Sequence, residues 1–316
     1  MKRRALLAAL APLTAGCFGA TRAETDQPPA TETPGQQSTE TPDTQSTATP
    51  DTTGSADREE AVGKIDTAQD RLREAVYIYA GGVSSELLDV SAATEEFDDR
   101  SVLLKLSDVQ TAINEAERAA VTAEQKETVE SLREMHRFLT RATDLQAWLI
   151  EGHEAVADTY DAIDDGDDGD TVKAELDAVE QAVDKAGDPL EAVTAVESGA
   201  ADSTDAISTT EFERKVTQFE NEMDVLDQLH GSLSTIQAER EELDAARAKA
   251  DNGDYYSAEQ AAERAADSLD ETVETLETLD EDPPEHAGAF NYQIEDVLAL
   301  ARDYAAEADD LQNRYG

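Results

Sequence analysis

Two long stretches of this chain carry an apolar residue at every third or fourth position, and no proline interrupts either one. Steps that alternate three and four keep one face of an α-helix turned toward a partner, as in coiled-coil-like bundles. The spacing therefore predicts an all-α fold: an elongated bundle of long antiparallel helices. The core-facing line of each helix, its seam, runs through Leu132, Met135, Leu139, Ala142, Gln146, Leu149, His153, Val156, Tyr160 and Ile163, and through Val216, Phe219, Met223, Leu226, His230 and Leu233.

Capping signals mark the starts of both long helices. Thr122 precedes Gln125 by three residues and Ser208 precedes Glu211 by three, the spacing of a capping box. We therefore expect both side-chain pairs to satisfy free backbone N–H groups at the helix starts. Further helices are expected from Asp57, around 85–90, over Asp99–Val121, over Thr171–Ala186 and over Tyr255–Leu279. A last helix is expected to start at Asp282-Pro283-Pro284 and to run to about Asn313, and Pro189 is expected at a helix boundary as well.

A weak internal repeat accompanies the long helices. A shift of 84 residues places Gly169-Asp170 on Gly253-Asp254, and each pair separates a long helix from a shorter one. The shift predicts two helical-hairpin sub-repeats, 122–200 and 208–281, inside one all-helical domain that covers 57–316.

The first residues of the chain have the pattern of an export signal. Lys2, Arg3 and Arg4 precede an apolar run of residues 5–13 that is too short to cross a bilayer, and Cys17 follows Ala-Gly. This pattern resembles a lipobox, which implies a signal peptide over 1–16 and a lipid anchor on Cys17. Arg3 and Arg4 also resemble a twin-arginine signal, although the longer consensus is incomplete, so the export route stays open.

Residues 17–56 are predicted to join the lipid anchor to a disordered stalk. Between residues 21 and 56 the chain has 11 threonines, 3 serines and 5 prolines, and this composition cannot build an apolar core. We expect the stalk to hold the helical domain away from the extracytoplasmic face of the cell membrane.

Acidic residues dominate the composition. The chain has 73 acidic and 25 basic residues, a formal net charge of −48, and only eight lysines. Composition and signal together resemble surface lipoproteins of halophilic archaea, in which molar salt screens the repulsion. The charge speaks against a nucleic-acid partner, because no basic patch is available for phosphates.

Two sets of residues are candidate metal ligands. Asp164, Asp168 and Glu175 occupy positions 1, 5 and 12 of a calcium-type loop, although Gly166 takes a position that normally carries a carboxylate. His153 and His230 lie on the two seams and could face each other. An ordinary aspartate–glycine turn and buried polar contacts that set helix register are the favoured interpretations, so no cofactor is expected.

The chain has none of the common catalytic sequence motifs, and we expect it not to be an enzyme. The first functional hypothesis is a membrane-anchored extracytoplasmic lipoprotein whose helical bundle binds a protein partner or has a structural role. The alternative is an extracytoplasmic ligand- or metal-binding module, a sensor or a transport accessory. A pocket with converging polar groups near Trp148, His153 or His230 would favour the alternative, whereas a dry, closed seam would favour the first hypothesis.

Overall fold

A computed structural model describes residues 52–82 and 86–315. The predicted signal peptide, with Arg3 and Arg4, the lipid attachment site Cys17 and the stalk up to residue 51 lie outside the described residues. Within the described part, seven α-helices pack as a bundle and no strand is present, which confirms the all-α prediction.

The helices follow one another with short connections. Their bounds are α1 Thr52–Tyr79, α2 Asp99–Ala119, α3 Ala123–Asp164, α4 Gly169–Thr194, α5 Thr209–Asp251, α6 Tyr255–Glu281 and α7 Asn291–Tyr315. Three short 3-10 turns, Leu87–Asp89, Ser198–Ser203 and Gly288–Phe290, lie in the connections. Helices that are joined by tight turns and pack on each other run antiparallel, as α3 with α4 and α5 with α6 do.

Three expected helix boundaries are wrong. Helix α7 begins at Asn291 and not at Pro283-Pro284, because His286 has a positive φ, which an α-helix does not allow. Helix α1 begins at Thr52, five residues before Asp57, and α4 continues past Ala186 to Thr194. Pro189 therefore lies inside α4 and not at its end. A proline inside a helix costs about 3 kcal/mol because it removes a hydrogen bond. Pro189 is buried in α4, so its packing offsets part of that cost.

Helices α3 and α5 form the centre of the bundle. Helix α3 packs against α1, α2, α4, α5 and α7, and α5 packs against α3, α4, α6 and α7. Their buried side chains belong to one hydrophobic core that also receives residues from the outer helices. At about 1.5 Å per residue, the 42 residues of α3 and the 43 of α5 each give a helix about 60 Å long.

The predicted seam of α3 is confirmed. Eight of its ten positions are buried, and the two exceptions, His153 and Tyr160, are partly exposed. The aromatic rings of Phe138 and Phe212 join α3 to α5 with their centroids 4.4 Å apart, which supports core packing as their role.

The predicted seam of α5 is confirmed at three of its six positions, because Phe219, Leu226 and Leu233 are fully buried. Val216, Met223 and His230 are only partly buried, whereas Lys215, Glu222 and Leu229, one position earlier in each case, are buried. The buried face of α5 is therefore wider than the predicted seam and includes polar residues, because α5 packs against four helices.

The two capping predictions differ in outcome. Thr122 and Gln125 form the complete capping box at the start of α3. Ser208 accepts a hydrogen bond from the Glu211 N–H at the start of α5, but the Glu211 carboxylate does not return to Ser208. It accepts instead from the backbone N–H of Leu87, at 2.8 Å.

The hairpins α3–α4 and α5–α6 match in length, with 42 and 26 residues against 43 and 27. Their helix N-caps, Thr122 and Ser208 for the first helices and Asp168 and Asp254 for the second, are 86 positions apart in both cases. The expected shift of 84 is therefore wrong. Gly166 and Gly253 are the second residues after α3 and α5 and both have a positive φ, whereas Gly169 is the first residue of α4.

No helix in the two described ranges combines the length and apolar character that a membrane crossing requires.

Candidate functional site

Four polar residues of α5 lie on one helix face in the interior of the bundle. Glu211, Lys215, Gln218 and Glu222 are spaced by four, three and four residues, which is the spacing of a seam. The last three are buried, and Lys215 and Glu222 have no measurable exposure. Because all four hydrogen-bond to or beside the segment 87–92, which precedes α2, we refer to them as the α5 clamp.

Lys215 is the centre of this cluster. Its Nζ donates to the carbonyl oxygen of Val90 at 2.6 Å, to Oε1 of Gln146 at 2.9 Å and to Oε1 of Gln218 at 3.0 Å. Three acceptors satisfy all three N–H bonds of an ammonium group. The Nζ also lies 4.3 Å from the ring centroid of Phe219, within cation–π distance.

Glu222 receives hydrogen bonds through one of its two oxygens. Oε1 accepts from the Ala92 N–H at 3.3 Å and from Nε2 of Gln218 at 3.0 Å. Oε2 is buried and has no partner, and Nε2 of Gln146 is in the same situation. Lys215 and Glu222 are therefore linked through Gln218, and the cluster retains one free acceptor and one free donor.

Burial favours the uncharged forms of the titratable side chains in this cluster. Desolvation lowers the pKa of Lys215 to about 7, with the nearby Glu222 charge acting in the opposite direction. Desolvation likewise raises the pKa of Glu222 to about 7, against the influence of Lys215 and of the two hydrogen bonds at Oε1. Burial also raises the pKa of the Tyr79 hydroxyl, which donates to Oε1 of Gln146 at 3.2 Å.

The α5 clamp fixes the connection between α1 and α2. Lys215 and Gln218 both donate to the Val90 carbonyl, Glu222 accepts from Ala92, and Glu211 accepts from Leu87. These bonds satisfy backbone groups that a buried loop would otherwise leave unpaired. Sequence reasoning missed the clamp because the seam of α5 was traced through mainly apolar positions. The available signal was their four-three-four spacing beside the apolar seam.

Residues 92–95, which continue from the end of the clamped segment, form one wall of a surface groove of about 370 Å³. We refer to this site as the His153 groove. Its other walls come from the middle of α3 and from the start of α7. It is lined by Ala92, Ala93, Thr94, Glu95, Ile150, His153, Glu154, Ala157, Ala289, Tyr292 and Gln293.

His153 is the central polar side chain of this groove. Its Nε2 lies 3.1 Å from the carbonyl oxygen of Ala289 and also contacts Nε2 of Gln293. The imidazole meets the ring of Phe290 edge-on, with centroids 5.2 Å apart. Burial is the main cause that lowers the pKa of His153, so the neutral form predominates near pH 7.

The other metal-ligand candidates take ordinary structural roles. Asp168 is the N-cap of α4, where its Oδ1 accepts from the N–H groups of Asp170 and Thr171. Asp164 ends α3, and Glu175 lies inside α4. His230 is a partly buried residue of α5. Across the described residues, no three histidine, aspartate, glutamate or cysteine side chains converge on a point where a metal ion could bind.

Comparisons with protein-family models, with curated proteins and with solved structures find no significant match to this chain. The fold and the site define this chain as an acidic all-α bundle with a buried ionic cluster.

Proposed function

We propose that this chain is a membrane-anchored extracytoplasmic lipoprotein whose helical bundle serves as a protein-interaction or structural module. The observation that carries the proposal is the packed interface between α3 and α5, where buried apolar side chains surround the α5 clamp. Because these side chains pack in the core, a partner protein can contact only the outward faces of the helices. The outer helices α1, α4, α6 and α7 have 25 to 28 residues, so each presents a face about 40 Å long, which suits partners that are helical or flat.

The anchoring part of the proposal rests on the sequence pattern around Cys17. Replacement Cys17→Ser removes the thiol that would carry the lipid and should release the protein from sedimented membranes into the soluble fraction. A Cys17→Ser protein that sediments with membranes as fully as the wild type would show that lipid anchoring is wrong. Double replacement Arg3→Lys with Arg4→Lys tests the export route, because it should block only twin-arginine export.

The interaction part is tested by native purification of the full chain from membranes at molar salt, followed by mass spectrometry. A protein that co-purifies in a stoichiometric ratio is the expected result. The Cys17→Ser protein, purified from the soluble fraction, separates partners of the bundle from proteins that share only its membrane. A solitary chain in both preparations would contradict an interaction role.

A second candidate function is ligand binding outside the membrane, as a sensor or a transport accessory. The His153 groove favours it, because polar groups from α3, from residues 94–95 and from α7 line it together. Such convergence of a few polar groups on an apolar floor is characteristic of small-molecule sites.

A further inference from the structure

We propose that segment 87–92 is a latch, which opens as a local unit while the helices stay packed and which a proton on Glu222 holds closed. This latch goes beyond the interaction role proposed above, because it gives the bundle a conformational response to pH. Three observations support it: the way in which the segment is held, the burial of the α5 clamp, and the hydrogen bonds at the two oxygens of Glu222.

Side chains of α5 hold the backbone of this segment. The N–H groups of Leu87 and Ala92 and the carbonyl of Val90 all bond to residues of the α5 clamp. Helices α1 and α2, on either side of the segment, pack on each other and on α3. Because those contacts do not pass through the segment, it can leave α5 while the two helices remain in place.

The closed segment keeps the charged centre of the clamp out of water. Lys215 and Glu222 have no measurable exposure, and the residues of the segment that bond to the clamp, Leu87, Val90 and Ala92, are at most 4% exposed. Opening of the segment hydrates both charged side chains. Burial disfavours a charge on Glu222 in the closed state, whereas water accepts that charge in the open state. A proton on Glu222 therefore stabilises the closed state relative to the open one.

The hydrogen bonds at Glu222 leave one oxygen for this proton. Oε1 accepts from the Ala92 N–H and from Nε2 of Gln218, whereas Oε2 has no partner among the described residues. The orientation of the Gln218 amide is fixed, because its Oε1 accepts from Nζ of Lys215, and an ammonium group can only donate. A proton on Oε2 thus neutralises the side chain and leaves both bonds at Oε1 intact.

The titratable groups that face Glu222 set the pH range of the latch. Lys215 supplies the nearby positive charge from α5, the Tyr79 hydroxyl lies beside the pair on α1, and α3 contributes the neutral Gln146. Burial outweighs the Lys215 charge and raises the pKa of Glu222 to about 7, from an ordinary value of 4.5. The closed state should therefore become more stable as the pH falls from about 7 to 4.5. Burial lowers the pKa of Lys215 to about 7, so Lys215 keeps its proton over most of this range.

The latch also controls one wall of the His153 groove. Ala92 belongs both to the segment and to the lining of the groove, and Ala93, Thr94 and Glu95 continue the same wall. Opening of the segment moves this wall away from α3 and α7. Protonation of Glu222 therefore keeps the groove in its closed shape.

The test is amide hydrogen exchange of the full chain at constant molar salt between pH 5 and pH 7, followed by mass spectrometry of short peptides. Division by the intrinsic exchange rates removes the ordinary pH dependence of exchange. Segment 87–92 should be less protected than the peptide around Leu226 in the core, and its protection should fall about tenfold or more from pH 5 to pH 7. Equal protection of the two peptides would overturn the local opening.

Two variants identify the proton site. Glu222→Gln puts a neutral amide, which takes up no proton, at this position, so the protection of segment 87–92 should no longer change between pH 5 and pH 7. Glu211→Gln is the matched control, because Glu211 holds the Leu87 end of the same segment and is only partly buried. It should keep the tenfold change. A pH dependence that persists in Glu222→Gln, or that Glu211→Gln abolishes, would refute Glu222 as the proton site.

A direct titration of the wild type does not depend on the folding of either variant. Carboxyl ¹³C NMR of the glutamate-labelled chain should show one side chain that titrates near pH 7, whereas exposed glutamates titrate at about 4.3. If every glutamate carboxyl titrates below about pH 5.5, Glu222 carries no proton in the range of the latch and the proposal is wrong.

Discussion

Lys215 and Glu222 place opposite charges in an interior that is otherwise largely apolar. Removing two charges from water costs several kcal/mol for each ion, and their attraction recovers this only when the hydrogen bonds around them are complete. The ammonium group of Lys215 has three acceptors, whereas Oε2 of Glu222 has no partner. The pair therefore specifies where segment 87–92 is held more than it stabilises the fold.

Single and double replacements in this pair should be strongly non-additive. Lys215→Met leaves an unpaired buried carboxylate, and Glu222→Gln leaves an unpaired buried ammonium, so each should lower the free energy of unfolding by about 3 kcal/mol or more. The double variant should recover at least about 2 kcal/mol of the summed loss. Urea unfolding at fixed molar salt measures all four proteins, and simple additivity would contradict the ionic coupling.

The raised pKa of Glu222 also predicts a pH dependence of stability. Its folded-state pKa of about 7 exceeds the ordinary value of 4.5, so the folded chain takes up this proton before the unfolded chain does. The stability of the wild type relative to Glu222→Gln should therefore rise as the pH falls from about 7 to 4.5. Unfolding measured across this range checks the sign, and parallel curves for the two proteins would show that Glu222 does not titrate as proposed.

At the level of secondary-structure elements, the approach of α3 to α4 and α5 depends on one small residue. A Cβ atom on Gly152 would lie 2.5 Å from Cδ2 of Leu226 and 3.2 Å from Cβ of Ala182. Leu226 is fully buried and cannot move aside without disturbing its neighbours. The periodicity of the sequence located the α3 seam but could not show that three helices meet at this glycine.

Replacement Gly152→Ala should consequently destabilise the bundle, by about 1–3 kcal/mol, because overpacking exceeds the gain in helix propensity. Gly231→Ala is the matched control, since Gly231 is an exposed residue inside α5 and a Cβ there would meet no atom within 4 Å. It should stabilise by up to about 1 kcal/mol. Thermal unfolding of the two variants should show shifts of opposite sign, and a stabilised Gly152→Ala protein would contradict the packing at this contact.

For the whole molecule, a net charge of −48 makes compaction dependent on salt. The Debye length is about 3 Å at 1 M salt and about 10 Å at 0.1 M, so repulsion between surface carboxylates reaches much further in dilute buffer. The outer face of α4 illustrates the arrangement, with the exposed acids Asp177, Glu180, Asp184 and Asp188 beside a single lysine, Lys185.

Transfer from 1 M to 0.1 M salt should therefore lower the melting temperature of the domain. Neutralising the four α4 acids together, as D177N/E180Q/D184N/D188N, should reduce this salt dependence because it removes four of the repelling charges. Circular dichroism during heating at both salt concentrations provides the measurement. A melting temperature that is the same at 1 M and 0.1 M would rule out charge repulsion as the controlling term.

The sequence by itself determined the all-α class, the seam of α3 and the capping box at Thr122, because helix periodicity and capping depend on residues within a few positions of one another. Only the tertiary structure decided the wider buried face of α5, the clamp and the His153 groove. Lys215 reaches the Val90 carbonyl across 125 positions and His153 reaches Ala289 across 136. Such contacts depend on how the helices pack. One packing is selected by the sum of many interactions across the whole bundle, and no short stretch of sequence contains them all.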